Sequence, residues 1–325
     1  MKEIIFLQKN QPSWEIVEKF VKGEVNLSPD ELKSAYTNLV EALSYSRTFY
    51  PDSKTSLYLN NLALKVHTKI YSKKRFDFEN IKRYWVYELP LLIYQSRKEF
   101  LISFLIFFVA VMIGIISTKY DDSFVRIILG DDYVNMTLRN IEKGDPLAVY
   151  KKANQLDMFL GITFNNIMVS FNAFAFGLMT PLGTGIILFK NGVMLGSFQQ
   201  FFAGQGLFYD YLKTVWIHGT FEISAIIIAG AAGIILGNSF LFPGTYSRSI
   251  SFKMGALRGV RIILALIPIF IIAGFLEGFV TRLTEMPDVI NFLIIILSLS
   301  FMIWYFVIYP IKIYKRSTDV ELITD

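Results

Sequence analysis

The sequence predicts an all-α integral membrane protein, with about six transmembrane helices preceded by a helical cytoplasmic N-terminal region. Three observations predict it. Of 325 residues, 53% are hydrophobic and only 18% charged, with 16% aromatic and a mean hydropathy of +0.45. A water-soluble domain carries about 25% charged residues. The charges are also segregated: residues 1–98 hold 16 of the 32 Lys+Arg and 11 of the 27 Asp+Glu, a net of +5, so the remaining 227 residues are neutral overall. Within that neutral part lie apolar runs near the roughly 20 residues that a span requires. There is no cysteine, which removes disulfides, thiolate metal sites and cysteine nucleophiles together. Two histidines, His67 and His218, are too few for a conventional multi-histidine metal site.

Residues 1–98 form the expected cytoplasmic region, 99–314 the membrane domain and 315–325 a cytoplasmic tail. The first ten residues, MKEIIFLQKN, contain an apolar run of only four, Ile4 to Leu7. A secretory signal needs roughly 7–15, so the head is expected to stay on the side where it is made. Ser28-Pro-Asp-Glu31 is a capping box with proline at the first helical position. Leu32, Tyr36, Leu39, Val40, Leu43 and Tyr45 then supply one apolar face, Pro51-Asp-Ser-Lys breaks the helix, and Leu57–Tyr71 forms another. Lys73-Lys-Arg75 is a basic cluster suited to a solvated loop or to anionic head groups. Tyr84-Trp85-Val-Tyr87 has the composition of an interfacial aromatic belt.

The first span is expected at Phe100–Thr118, followed by a polar extracytoplasmic segment over 119–157. Met158–Tyr209 is 52 residues long with one charge, Lys190. That fits two spans, about 159–179 and 183–205, joined by turn chemistry at Met179–Gly185. Lys190 and the glycines leave a broken or re-entrant third span open. Further spans are expected at about 216–240, 262–280 and 289–311. Six spans put both termini on one side, and basic residues mark it as cytoplasmic. The head is +5, the 241–261 loop has Arg248, Lys253, Arg258 and Arg261 without an acid, and the tail opens with Lys312, Lys315 and Arg316. On the other side, 119–157 has six bases against seven acids, 206–215 one of each, and 281–288 one against two.

Ionisable groups inside a bilayer are costly and mark sites of interest. His218 lies near the outer edge of the fourth span, and Glu222, on the same helix face, about 6 Å deeper at ~1.5 Å per residue. Glu277 lies about one turn from the outer end of the fifth span. Asn165 and Asn166 lie at a similar depth in the second. These five residues are expected to share one outer-leaflet polar layer. Lys190 and its neighbour Asn191 lie elsewhere, Lys190 about 10 Å in from the cytoplasmic side. The layer suits a hydrogen-bond network that pins helices, a polar-ligand or proton path, a divalent metal, or hydrolytic chemistry. In low dielectric two neighbouring carboxylates do not both stay ionised cheaply, so one is expected to hold a proton or pair with His218. The pairs Gly192-x-x-x-Gly196, Gly233-x-x-x-Gly237 and Gly274-x-x-x-Gly278 are expected at close helix contacts.

His218-Gly-Thr-Phe-Glu222, followed by the helix IIIAGAAGIILG, resembles the His-Gly-x-x-Glu signature of the stage II sporulation protein M family. The likeness continues in Phe164-Asn-Asn166, Gly177, Gly183-Thr-Gly185, Asn191-Gly-Val-Met-Leu-Gly196 and Gly274-Phe-Leu-Glu277-Gly-Phe. In the head it runs through Tyr50-Pro into an Asn60-Asn-Leu helix, so it covers nearly the whole chain. The family-like positions are His218, Gly219, Glu222, Asn165, Asn166, Asn191, Gly192 and Glu277. The resemblance implies a multipass inner-membrane protein of bacteria or archaea. Its sporulation member works in engulfment as a scaffold beside membrane-anchored proteins that degrade peptidoglycan. Relatives occur in organisms that never sporulate, often encoded near an AAA+ ATPase of the MoxR type, so the process itself is not carried over. Implied partners are other membrane or envelope proteins, such an ATPase, and a second copy of the chain.

The first functional expectation is a scaffold or subunit of a cell-envelope membrane complex, with the head and the 119–157 segment as docking surfaces. The alternative is a carrier for a lipid-linked or small polar substrate that uses the His/Glu/Asn layer. An intramembrane hydrolase is poorly served, because Ser170 lies deeper in its span and Ser224 lies on a different face from Glu222. No catalytic residues, no cofactor and no nucleic-acid partner are expected. The lipid bilayer is the expected environment.

Overall fold

A backbone crossing hydrocarbon has no water to bond with, so its N–H and C=O groups must be satisfied internally. The apolar runs fold accordingly as helices. The computed structural model describes residues 2–71, 78–146, 148, 154–283 and 286–324, and every regular element among them is helical. The chain divides into two compact units, Met1–Asn80 and Ile81–Asp325. The basic cluster Lys73–Arg75 lies outside the described residues.

The first unit contains α1 (Glu3–Lys22), α2 (Pro29–Phe49) and α3 (Lys54–Tyr71). The capping box fixes where α2 starts. The Ser28 backbone N–H donates to Glu31 Oε2 at 2.8 Å, and the Glu31 N–H donates back to Ser28 Oγ at 3.4 Å. Phe6, Trp14, Val17, Leu39, Leu59, Leu62 and Val66 make its core. α1 belongs to the helical head that the sequence predicts, in a stretch where the sequence marks out no individual helix. Pro12 stands inside it, and Phe6, Trp14 and Val17 share its buried face.

The second unit begins with α4 (Phe78–Arg83, its first residues shared with the unit boundary), a π turn at Tyr84–Glu88 and α5 (Leu89–Gln95). The expected belt is built into the fold here. The Tyr84 hydroxyl donates to the Arg261 carbonyl at 2.6 Å, while Tyr305 and Tyr309 donate to the Trp85 and Val86 carbonyls at 2.7 and 3.1 Å. Residues 81–98, grouped with the head on charge, therefore pack with the membrane helices. After Ser96 come α6 (Arg97–Tyr120), α7 (Asp122–Leu129), α8 (Asp131–Glu142), α9 (Gln155–Ala175) with a 3₁₀ turn Phe176–Met179, α10 (Pro181–Gly204) and α11 (Phe208–Leu241). Then follow α12 (Arg248–Phe275) with a π turn Leu276–Val280, α13 (Asp288–Ile303) with a π turn Trp304–Ile308, and α14 (Tyr309–Thr324).

Five helices are long and apolar enough to cross a membrane: Arg97–Tyr120, Gln155–Met179, Phe208–Leu241, Arg248–Val280 and Asp288–Thr318. The expected third span is not among them. It is α10, one continuous 24-residue helix, whose hydropathy is diluted by Lys190, Asn191, Gln199, Gln200 and its glycines. The expected 241–261 loop shrinks to Phe242–Ser247. Ser247 accepts the Ile250 N–H and starts α12 at Arg248, so all four basic residues of that loop sit on the helix. Part of the 119–157 segment is also ordered, as α7 and α8. Val125 and Val134 from these two helices pack with Phe201, Phe202, Tyr211 and Val215.

α11 is the central element. Its most apolar window is 72% buried, against 17–44% for the other four candidate spans. Side chains on α11 are therefore surrounded by protein. Those on α6, α9 and α13 face outward for most of their length.

Candidate functional site

Each polar group of the expected layer is brought in by a different device. His218 and Glu222 are four residues apart on α11, hence on one face. Asn166 comes from the buried side of α9. Glu277 lies in the π turn that ends α12, where the wider turn closes with a Thr281 N–H to Leu276 carbonyl bond of 2.9 Å. π turns are rare and often mark functional positions. This one puts Glu277 beside α11 and places Thr281 directly under His218.

The contacts are specific. His218 is 3% exposed. Its Nδ1 lies 3.1 Å from Thr281 Oγ1, and its Nε2 lies 3.7 Å from Glu277 Oε2. The Asn166 amide donates to Glu222 Oε1 at 2.5 Å. One ligand-type atom from each of His218, Glu222 and Glu277 falls within 4.8 Å of the others. An imidazole and two carboxyl groups thus converge inside the protein, with an amide and a hydroxyl holding their far sides.

Asn165 does not join them. It is exposed, because the next residue on a helix points about 100° away and Asn166 takes the inward direction. Lys190 is likewise exposed on α10, and Asn191 bonds back to the Ile187 carbonyl of its own helix at 2.8 Å. Neither reaches the cluster. The glycines sit where backbones meet. A side chain at Gly192 would strike Ala110 and the Phe107 carbonyl on α6, and one at Gly196 the Val111 carbonyl. At Gly233 the obstacles are Thr184 and the Ala173 carbonyl, at Gly237 Pro181, at Gly274 Thr163, and at Gly278 Phe159.

Two features were not anticipated from the sequence. Thr281 had no signal except its position four residues after Glu277. A cavity of about 250 Å³, lined in part by Asp145, Asp210, Lys213, Thr281 and Asn291, adjoins the same end of α11 and α12. Lys213 pairs there with Asp210 at 3.0 Å and with Asp288 at 3.5 Å.

Comparison with known families matches residues 103–282 to Stage II sporulation protein M. Residues 5–72 match a domain of unknown function (DUF8413). No curated protein and no solved structure matches the chain.

Proposed function

The chain belongs to the stage II sporulation protein M family, and from that premise we propose that it is a six-span inner-membrane scaffold, a subunit of a cell-envelope membrane complex with both termini in the cytoplasm. One observation carries the scaffold reading: the interior of the bundle is filled by α11, whose apolar window is 72% buried. Helices packed around a central element make a stable platform. The count of six is supported by α10, whose 24 residues span about 36 Å at ~1.5 Å per residue, more than the ~30 Å hydrocarbon core. The orientation is supported by the basic head and by Arg248, Lys253, Arg258 and Arg261 at the start of α12, which face the side favoured by positive charge.

Partners in this reading are other envelope membrane proteins, an AAA+ ATPase of the MoxR type suggested by the family, and further copies of the chain. They dock on the head and on the amphipathic helices α7 and α8. The test is site-specific photocrosslinking in cells, from exposed positions on α2 and α8, combined with reporters at residues 140 and 325. Discrete adducts that disappear when the crosslinker is moved to buried Leu39 are expected, with residue 140 exported and residue 325 cytoplasmic. No adduct from any exposed position would overturn the scaffold, and a cytoplasmic residue 140 would overturn the topology.

The carrier reading rests on the cavity beside Thr281. It requires movement of a polar or lipid-linked substrate by the purified chain in liposomes.

A further inference from the structure

Donor counting constrains the buried cluster. The Thr281 hydroxyl is 3.1 Å from the Leu276 carbonyl and donates its one proton there. Its oxygen then accepts from His218 when the ring carries its proton on Nδ1, the tautomer that satisfies both contacts. In that tautomer the Nε2 lone pair lies on the side of Glu277 Oε2, 3.7 Å away. Two electron-pair donors are thus turned toward one space, which a cation or a proton can share. Glu222 is turned toward the same space and steadied there by Asn166.

We propose that His218 Nε2 and one oxygen each from Glu222 and Glu277 bind a divalent transition-metal ion, with Zn²⁺ the best chemical match, which cross-links α11 to the π turn of α12. Three independent features support the site. The first is charge: both carboxyls ionise together in this buried place only beside a cation, and a divalent one neutralises their −2 against a neutral imidazole. Donor type is the second. One nitrogen and two oxygens make a three-ligand set with a fourth place for water, as zinc accepts, whereas calcium and magnesium favour all-oxygen shells. The third is support around the ligands, since metal-binding histidines commonly donate their other N–H to an oxygen and ligating carboxylates are themselves hydrogen-bonded. Thr281 and Asn166 fill those two positions.

The geometry is close to what binding needs. Tetrahedral zinc with bonds of about 2.1 Å places its ligand atoms about 3.4 Å apart. The triad, with its atoms within 4.8 Å, closes to that size when the two glutamate side chains move inward by about an ångström. The cavity lined by Asp145, Asp210, Lys213 and Asn291 reaches Thr281, the residue that touches His218. The inference is independent of the scaffold reading, because a carrier could contain the same site.

The experiment is metal content and thermal unfolding of the full chain purified in detergent, equilibrated with Zn²⁺, Mn²⁺ or Co²⁺ and then desalted. Wild type is expected to retain about one zinc per chain and to unfold at a higher temperature with zinc than after chelation. Its Co²⁺ form should show the visible bands of a tetrahedral site. H218Q, E222Q and E277Q preserve size and should lose the metal and the zinc-dependent shift. T281V keeps all three ligands and should bind about 10–100-fold more weakly. If a ligand variant fails to fold, the Co²⁺ spectrum and zinc content of wild type, with the T281V affinity, decide alone. Wild type that keeps no stoichiometric metal, or three ligand variants that keep zinc and its thermal shift, would overturn the site. That result would leave the carboxyl pair sharing a proton instead.

Discussion

The two units solve the folding problem by opposite means. In Met1–Asn80 one apolar cluster points inward, with Leu59 and Val66 fully buried, while charged residues and a few apolar ones such as Leu57 and Leu64 lie outside. In Ile81–Asp325 many large apolar residues point outward, among them Phe104, Phe108, Leu264 and Ile296. Its contacts combine a large apolar cluster around Phe221, Ile262 and Phe270 with close-packed glycines and buried hydroxyls such as Ser103 and Thr184. The outward apolar surface of the second unit is what a lipid environment favours. Water, by contrast, drives apolar groups together into a core. Lipid is as apolar as leucine, so helices in it are held by close packing and internal hydrogen bonds.

The sharpest way to break that comparison is to put bulk at a close contact in the membrane unit. Gly233→Leu pushes a branched side chain into Thr184 and the Ala173 carbonyl. Backbone on α9 cannot swing away as a flexible side chain would. Overpacking by even a methylene or so typically costs about 1–3 kcal/mol, and this change adds four carbons. Loss of most of the monodisperse protein in detergent is expected. Normal yield with an unchanged melting temperature would show that small-residue contact does not hold this unit together. The counterpart in the head is Leu59→Ala. Removing a fully buried leucine there should cost about 2–5 kcal/mol. It should be visible as faster proteolysis of the head in the full chain while residues 103–282 stay protected.

The contrast also explains what could be read from the chain in advance. Long apolar runs and segregated charge are coarse signals, and the runs became helices within a few residues of where they were expected. The same signals misjudged edges. Arg248 to Arg261 read as a loop because basic residues interrupt the hydropathy, yet a helix can continue past the bilayer once Ser247 caps it. The cluster of His218, Glu222, Glu277 and Asn166 was legible from depth and helix face alone. Asn165 was misplaced because depth says nothing about direction, and neighbours on a helix diverge by about 100°. Thr281 was invisible for another reason. Its role depends on a π turn at Leu276–Val280, and no residue pattern in that stretch signals the extra width. The helical head was legible as a whole, but α1 has no capping box to mark its own start, and the burial of Phe6, Trp14 and Val17 that holds it is a tertiary fact.

A smaller effect sharpens the head's side of the comparison. The reciprocal bonds of Ser28 and Glu31 belong to a helix end in water, and the bond from the Ser28 backbone holds the Glu31 carboxyl below its ordinary 4.5. A carboxylate held low in the folded state contributes fully above the unfolded value and loses that contribution as pH falls through the folded one. Ser28→Ala, which removes the cap hydroxyl, should cost about 1 kcal/mol. Amide exchange at the start of α2 in the full chain should speed up at neutral pH. Glu31→Gln removes the carboxylate that the Ser28 N–H holds, and lowering the pH below 4.5 should narrow the gap between that variant and wild type. A gap that does not change with pH would detach Glu31 from the cap.

The smallest expected effect comes from the matching serine in the membrane unit. Ser103 is fully buried on α6, and its hydroxyl donates to the Ile227 carbonyl of α11 at 2.6 Å. In hydrocarbon an unmade bond of this kind sounds expensive. Yet the Ile227 carbonyl also accepts within its own helix, so removing the hydroxyl strands no backbone group. Ser103→Ala deletes the donor and its need for a partner together, and alanine fits the small space beside Gly230, where a side chain on Gly230 itself would strike Ser103 and Leu188. A cost near 0.6 kcal/mol, the average for interhelical hydrogen bonds in lipid, is the expected outcome in a detergent unfolding series. The relative effect of the two serines is what matters. If Ser103→Ala costs more than Ser28→Ala, hydrogen bonding rather than close backbone contact holds α6 to α11, and glycine packing becomes the secondary support.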